Sequence, residues 1–197
     1  MLDYLASTTA RDTESAPLPL ERGYRADIAR RAYALDFDRD EAERRIERGI
    51  RFDDSFPSFC SACASAGIDL LVLTSGIQEL VERYLARRNV FPTVIGNCAE
   101  YRADGWRIRF RDDSLAGIDK RSFVLAARER RQTSVVIGDD RSDFEAALAA
   151  DVTYAKAESE LAHFLTERPH EFRSFHRFDD ILARWPPETW PAEGRRE

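Results

Sequence analysis

The first part of the chain, residues 20–51, carries apolar residues every three or four positions. They fall at Ile28, Ala32, Leu35, Ala42, Ile46 and Ile50, with charged residues between them. This spacing predicts two amphipathic helices. The acidic segment 36–40 separates them, and Asp38 or Asp40 is a suitable N-cap for the second helix. We therefore expect a small helical region near this end of the chain.

From residue 53 onward, short apolar runs alternate with segments of helical spacing. The predicted elements are a helix at 56–66, a strand at 68–73, a helix at 78–88, a hairpin at 94–110, a helix at 120–131, a strand at 134–137, a helix at 142–150 and a strand at 152–155. The short apolar runs are typical of buried parallel strands. Strands that alternate with helices predict an α/β layer built on a parallel sheet.

The composition and charge of the chain argue against two classes of partner, nucleic acids and membranes. The chain has 197 residues and a formal net charge of -6. Its pI of about 5.3 argues against a nucleic-acid partner, because neutralising phosphates needs a basic face. No apolar run approaches the roughly 20 residues of a membrane span, and the first residues lack the basic and apolar regions of a secretory signal. We therefore expect a cytoplasmic protein with one core and without a membrane partner.

Polar residues follow the predicted strands, at the edge where parallel sheets bind ligands. Thr74, Ser75 and Gly76 offer hydroxyl and amide groups at the start of a helix, which favours an anion such as phosphate. A simple capped turn is the alternative. Asp139 and Asp143 are four residues apart and supply the oxygen ligands that Mg²⁺ prefers. Here the alternative is a solvated turn.

Lys120 begins a predicted helix, where a cation opposes the helix dipole unless an anion lies nearby. The series Val72–Gly76, Lys120 and Val136–Asp143 resembles motifs II, III and IV of the haloacid dehalogenase (HAD) superfamily phosphatases in order and spacing. Within that superfamily the chain is most similar to the phosphoserine-phosphatase-like group. The closest likeness is to the methionine-salvage phosphatases that act on a methylthiopentenyl phosphate. The resemblance covers nearly the whole chain.

The resemblance implies an α/β fold, namely a HAD-like Rossmannoid parallel sheet flanked by helices, with a small helical cap inserted near the N-terminus. It assigns residues 1–52 to the cap, 53–185 to the α/β core and 186–197 to a loose C-terminal tail. The implied substrate is a small phosphorylated metabolite. A homodimer is one option for the assembly.

The resemblance also implies roles for single residues. The segment Thr74–Gly76 would bind phosphate, with Thr74 holding a phosphoryl oxygen. Lys120 would neutralise nucleophile and phosphate, and Asp139, with Asp143 behind it, would bind Mg²⁺. In this family a carboxylate attacks phosphorus to form an aspartyl-phosphate, a second Asp protonates the leaving alcohol, and water then frees phosphate.

Motif I of the family, a buried strand ending in Asp-x-Asp-Gly-Thr, has no clear counterpart in this sequence. Asp36-Phe37-Asp38 resembles it in its letters, but Arg39-Asp40 stands in place of Gly-Thr. By family spacing, we expect the chain to start too late to include this strand. Three interpretations stay open: an active enzyme whose start codon is misassigned, a catalytically silent relative that binds a phosphorylated ligand or a protein partner, and an enzyme that uses Asp36 and Asp38 as nucleophile and acid.

Overall fold

The computed structural model of the chain describes residues 5, 7, 24–102 and 104–184. Its helices are α1 (Tyr24–Tyr33), α2 (Arg39–Gly49), α3 (Phe56–Ser65), α4 (Gln78–Ala86), α5 (Lys120–Glu129), α6 (Phe144–Ala149), α7 (Glu160–Thr166) and α8 (Phe178–Leu182). Its strands are β1 (Leu71–Ile77), β2 (Thr93–Arg102), β3 (Gly105–Arg109), β4 (Val135–Gly138), β5 (Val152–Lys156) and β6 (Arg173–Phe175). The predicted α/β class is confirmed. No helix in the part of the chain that the structure describes combines the length and hydrophobicity that crossing a membrane requires.

In the described part of the chain the strands form two three-stranded sheets, where the sequence led us to expect one. In the first sheet, β1 pairs parallel with β2, and β2 pairs antiparallel with β3. In the second sheet, β4, β5 and β6 are all parallel. Within the described ranges, β1 and β4 each have a strand neighbour on one side only. The prediction of parallel strands is confirmed, but β1 and β4 are less buried than predicted: Leu71 is 41% exposed, and β4 is only partly buried.

The described residues up to Phe52 form a first compact unit together with Gly67–Asp119. In this unit α1 and α2 share one hydrophobic core with the first sheet and α4. Its buried members are Leu5, Ile28, Ala32, Leu35, Phe37, Ala42, Ile46, Ile77, Leu80, Tyr84, Ala99 and Trp106. Trp106 also donates its indole N–H to the backbone oxygen of Phe37 at 2.7 Å. The two helices predicted from the first part of the sequence are thus built onto the first sheet.

Ion pairs join α2 to α4 within the first unit. The buried carboxylate of Glu43 pairs with Arg83 at 3.0 Å and with Arg87. One turn further along α2, Glu47 pairs with Arg88 at 2.8 Å. Because Glu43 is withdrawn from water, its two arginine partners offset the cost of burying its charge. These contacts add to the shared core in holding α2 against the helix that follows β1.

The second compact unit consists of Asp53–Ala66 and the described residues from Lys120 onward. Here α6 and α7 pack against β5. The buried residues of this cluster are Ala147, Ala155, Leu161, Ala162 and Leu165. Aromatic contacts connect α3 to α8, since the ring of Phe178 lies 4.8 Å from that of Phe56 and 4.9 Å from that of Phe59, measured between centroids. The segment Asp53–Ala66, from the first third of the sequence, is thereby joined to α8.

Most predicted helices and the hairpin lie where we expect them, with shifted ends. Of the two predicted N-cap candidates, Asp38 and Asp40, it is Asp38 that caps α2, because its carboxylate accepts a hydrogen bond from Glu41 N at 2.8 Å. The strand predicted at 68–73 is misplaced: β1 starts at Leu71 and continues through residues 74–76. The short elements α7, β6 and α8 have no counterpart in the prediction, since elements of this length carry little periodicity.

Some predictions concern residues outside the described ranges. These are the loose tail at 186–197, the start of the helical region at 20–23, and the tip of the hairpin at Ala103. The division into a cap at 1–52, a core at 53–185 and this tail stays a prediction.

Candidate active site

The first part of the candidate site is an irregularity within β1. Thr74 pairs with Gly96 of β2, but the next register pair joins Ile77 to Asn97, so residues 75–76 bulge out of the ladder. A bulge of this kind turns side chains away from the regular alternation of a strand. The predicted phosphate segment is therefore a bulge inside the strand and not a turn that follows it.

Contacts on two sides hold the Thr74 side chain in this bulge. Gly76 N donates to Thr74 Oγ1 at 3.0 Å. On the β2 side, a Cβ atom at Gly96 would lie 2.5 Å from Thr74 Cγ2 and 2.8 Å from Thr74 O, so this position requires glycine. Because Oγ1 accepts the Gly76 bond, its own hydrogen can be donated to another oxygen. The bulge thus presents donors of the kind that phosphate accepts.

Asn97 supports the bulge from β2, and the sequence analysis did not identify it. Its exposed fraction is 0%. Its Nδ2 donates to Ser75 O at 2.8 Å and to Ala116 O at 3.0 Å, while its Oδ1 accepts from Arg111 N at 3.1 Å. The sequence carries one signal for Asn97, which is that a polar amide side chain stands within a strand of the predicted hairpin.

The second part of the candidate site lies in the second unit, around Lys120. Lys120 is the first residue of α5 and is 8% exposed, and its partner Asp143 is 7% exposed. The Lys120 ammonium donates to Asp143 Oδ1 and to Ser142 Oγ, both at 2.7 Å. A buried charge needs such compensation, because leaving water is costly. The sequence led us to expect an anion near this lysine. One such anion belongs to the chain itself, namely the carboxylate of Asp143.

Asp143 also holds the turn that follows β4. Its Oδ2 accepts from the backbone N–H groups of Asp139 at 3.0 Å and of Asp140 at 3.2 Å. A Cβ atom at Gly138 would lie 2.5 Å from this oxygen, so the close approach requires glycine. Both carboxylate oxygens of Asp143 are thus engaged by groups of the protein, Lys120 among them. In this arrangement Asp143 orients the lysine and the turn.

Asp139 is the exposed acidic residue at the end of β4. Protein atoms packed around its carboxyl group, and then the negative charges of Asp143 and Asp140, raise the pKa of Asp139 above its usual range. A cation would relieve this repulsion, and Mg²⁺ binds carboxylate and phosphate oxygens. The residue therefore fits a Mg²⁺ site. The described part of the chain holds no ready cluster of three or more His, Cys, Asp or Glu side chains around a metal position.

The predicted site residues fall into two groups. Those of the first unit are Thr74, Ser75 and Gly76, and those of the second are Lys120, Asp139 and Asp143. The acidic pair Asp36 and Asp38 lies in the turn between α1 and α2, where Asp38 caps α2. A family nucleophile is expected at the end of a strand, so this placement favours the interpretation of the pair as helix-turn residues.

Comparison with known protein families and sequences gives a consistent result. A family model described as haloacid dehalogenase-like hydrolase matches residues 5–148. The chain is 30% identical over 152 residues to Pdp3-interacting factor 1 of Schizosaccharomyces pombe, covering 72% of this chain and 66% of that protein. It is 26% identical over 159 residues to the polyol phosphate phosphatase PYP1 of Saccharomyces cerevisiae, covering 73% and 66%. The matched region thus spans just under two thirds of each relative.

Solved structures show the same fold. A phospho-aspartyl intermediate analogue of phosphoserine phosphatase superimposes with a TM-score of 0.63 at 14% identity, over 82% of this chain and 78% of that one. A HAD family hydrolase from Salmonella enterica superimposes with a TM-score of 0.65 at 16% identity, over 85% and 58%. The predicted HAD-like Rossmannoid α/β fold and the likeness to phosphoserine phosphatases are confirmed. The likeness to the methionine-salvage group stays a prediction.

Proposed function

Because the chain belongs to the haloacid dehalogenase-like hydrolase family, we propose that it hydrolyses the phosphate monoester of a small metabolite. The observation that carries the proposal is the arrangement after β4. A buried lysine, Lys120, is oriented by Asp143, while Asp139 remains exposed at the end of the strand. A fixed cation and an exposed carboxylate are the groups that binding phosphate through Mg²⁺ requires.

In the proposed reaction, the residues of the chain bind and orient the phosphoryl group. In the first unit, the Thr74 hydroxyl and the amides of residues 75–76 are donors of the kind that phosphoryl oxygens accept. In the second unit, the Lys120 ammonium would balance phosphate charge. Asp139 would hold Mg²⁺, which supplies further positive charge for the phosphoryl oxygens. We assign Asp143 to the support of Lys120, because both of its oxygens are engaged by the protein.

Hydrolysis is proposed to pass through an aspartyl-phosphate. A carboxylate oxygen attacks phosphorus, the bond to the leaving oxygen breaks as that oxygen takes up a proton, and water then cleaves the new acyl phosphate. We assign the nucleophile to none of the described residues. Asp38 is a poor candidate, because its carboxylate caps α2 through Glu41 N.

For the substrate, we propose a small phosphate monoester such as a polyol phosphate. The support is that one relative is itself a polyol phosphate phosphatase. Phosphoserine and the methylthiopentenyl phosphate of methionine salvage are the comparison substrates, because the first is suggested by the structural neighbours and the second by the sequence resemblance. The three differ in the group attached to the same phosphate, so they separate recognition of phosphate from recognition of the leaving group.

A second candidate function is a catalytically silent protein that binds a phosphorylated ligand or a protein partner. The half-exposed β1 favours it, since Leu71 is 41% exposed and, in the described part of the chain, β1 pairs with a strand on one side only. An open strand edge is a surface on which a segment of another chain can pair.

Phosphate release from these three substrates, with and without Mg²⁺, tests the proposal. We expect turnover that requires Mg²⁺, and we expect Asp139→Asn to abolish it. Asp54→Asn is the matched control, because Asp54 is an exposed acid of the same unit. Full turnover by Asp139→Asn would refute the assigned role. If the wild-type chain binds phosphate but turns over none of the three substrates, the silent alternative is favoured.

A further inference from the structure

Asn97 is a buried polar residue and is not a member of the hydrophobic cluster of the first unit. Its exposed fraction is 0%, so its amide is withdrawn from water and must find its hydrogen bonds inside the protein. It finds three: both Nδ2 hydrogens are donated, to Ser75 O and Ala116 O, and Oδ1 accepts from Arg111 N. An apolar side chain of similar size would avoid this cost, so the amide needs a specific reason.

The first reason is the bulge in β1. Where residues 75–76 leave the ladder, the regular backbone partners on β2 are lost between Thr74 and Ile77. The Ser75 carbonyl accepts a hydrogen bond from the side chain of Asn97 at 2.8 Å. The position of Ser75, and with it the contact between Gly76 N and Thr74 Oγ1, therefore depends on Asn97.

The second reason is the loop at 110–119. Asn97 donates to Ala116 O and accepts from Arg111 N, and both of these residues lie in the loop. Gly117 O accepts from Arg111 N at 3.0 Å, and Gly117 has a φ of +73°. A Cβ atom at Gly117 would lie 2.6 Å from Asn97 Oδ1, so the loop closes directly against the amide. At its end, Asp119 N donates to Asp112 Oδ2 at 2.8 Å. The next residue in the chain is Lys120.

We propose that Asn97 is a positioning residue of the phosphate site, an inference that rests on the proposed phosphatase function. One neutral side chain holds both the phosphate-binding bulge of β1 and the loop at 110–119. Asn97 does not touch the substrate, because it is wholly buried and its polar groups are engaged within the protein. Its neutrality matters, because a buried carboxylate here would repel the phosphate anion and a buried ammonium would need an anion of its own.

The test compares Asn97→Ser with Trp106→Phe in the full chain. Both variants lose buried hydrogen bonds within the first unit, since Trp106 is 1% exposed and donates to Phe37 O. The affinity for inorganic phosphate in the presence of Mg²⁺ is measured by titration calorimetry, and the stability by thermal unfolding. We expect phosphate to bind at least about tenfold more weakly to Asn97→Ser, with a change of less than about twofold in Trp106→Phe at a comparable loss of stability.

A second variant and a second measurement separate the outcomes. Asn97→Thr adds no charge and suits a strand position, and it replaces the serine variant if that one does not fold. Amide hydrogen exchange at Gly76 reports the bulge without any ligand, and we expect it to accelerate in the Asn97 variants and not in Trp106→Phe. If the wild-type chain does not bind phosphate, the proposed function fails, and this inference fails with it. If the wild-type chain binds phosphate and the Asn97 variants bind it equally well, only the inference is overturned.

Discussion

In the first unit the residues around Thr74 are held by uncharged groups, whereas in the second unit Lys120 is held by a buried ion pair with Asp143. In each unit a glycine allows a close contact: Gly96 lies against Thr74 in the first unit, and Gly138 lies against Asp143 in the second. A neutral amide costs less to bury than an ion pair, but it supplies no charge. The first unit thus fixes hydrogen-bond donors with neutral groups, whereas the second fixes a charged group with an opposite charge.

Among the changes that test this difference between the units, we expect the largest effect from removing one charge of the ion pair between Lys120 and Asp143. Asp143→Asn leaves the Lys120 ammonium buried without its carboxylate, since Asp143 is only 7% exposed. We expect this change to lower the free energy of unfolding by about 3–5 kcal/mol. Urea denaturation followed by circular dichroism measures it.

Removing both charges is the control. The double variant Lys120→Met with Asp143→Asn differs from Asp143→Asn only in the lysine, and we expect it to be more stable, because no uncompensated charge remains. If Asp143→Asn is as stable as the wild-type chain, the ion pair does not organise the second unit as we describe.

Substituting Gly96 or Gly138 tests whether the close backbone contact at each glycine contributes equally to the stability of the two units. Gly96→Ala places a Cβ 2.5 Å from Thr74 Cγ2, and Gly138→Ala places one 2.5 Å from Asp143 Oδ2. We expect each to lower the free energy of unfolding by about 1–3 kcal/mol. Gly76→Ala is the graded control, because its nearest contact, to Thr74 Oγ1, is longer at 3.2 Å. A loss in Gly76→Ala equal to that in Gly96→Ala would contradict the steric explanation.

We expect a smaller effect on stability from changing Asp53, a carboxylate of the second unit that accepts hydrogen bonds from Ser55 and from Phe178 N. Burial alone would raise the pKa of Asp53, but hydrogen bonds from Ser55 and from Phe178 N outweigh it and hold the pKa below its usual range. The stability that this carboxylate contributes is therefore present above about pH 4, the unfolded value, and is lost as the pH falls through the lower folded pKa.

The variant Asp53→Asn isolates this contribution. At neutral pH we expect it to cost about 1 kcal/mol in the free energy of unfolding. The amide has one acceptor oxygen and no charge, whereas both carboxylate oxygens of Asp53 accept hydrogen bonds. The stability curves of the wild-type chain and the variant should converge as the solution becomes more acidic. A difference that stays constant down to about pH 2, well below the unfolded pKa, would show that ionisation of Asp53 plays no part.

Residues whose role is visible from their immediate neighbours in the chain were found from the sequence. Asp38 was found as a helix cap because its partner, Glu41 N, is three residues away. Lys120 stood out because a cation is unusual at the start of a helix. Asn97 was missed, because its hydrogen-bond partners are 22, 19 and 14 positions distant along the chain. The bulge in β1 was missed for the same reason, since it exists only relative to β2.

The sequence by itself determined the elements and chemistry that depend on nearby residues: the amphipathic helices, the hairpin, the helix caps and the polar groups after the apolar runs. Only the tertiary structure decided that the strands form two sheets, that α1 and α2 share a core with the first of them, and that Asp143 pairs with Lys120. The physical reason is distance along the chain. Periodicity and capping act over a few residues, whereas packing and buried hydrogen bonds join segments that only folding brings together.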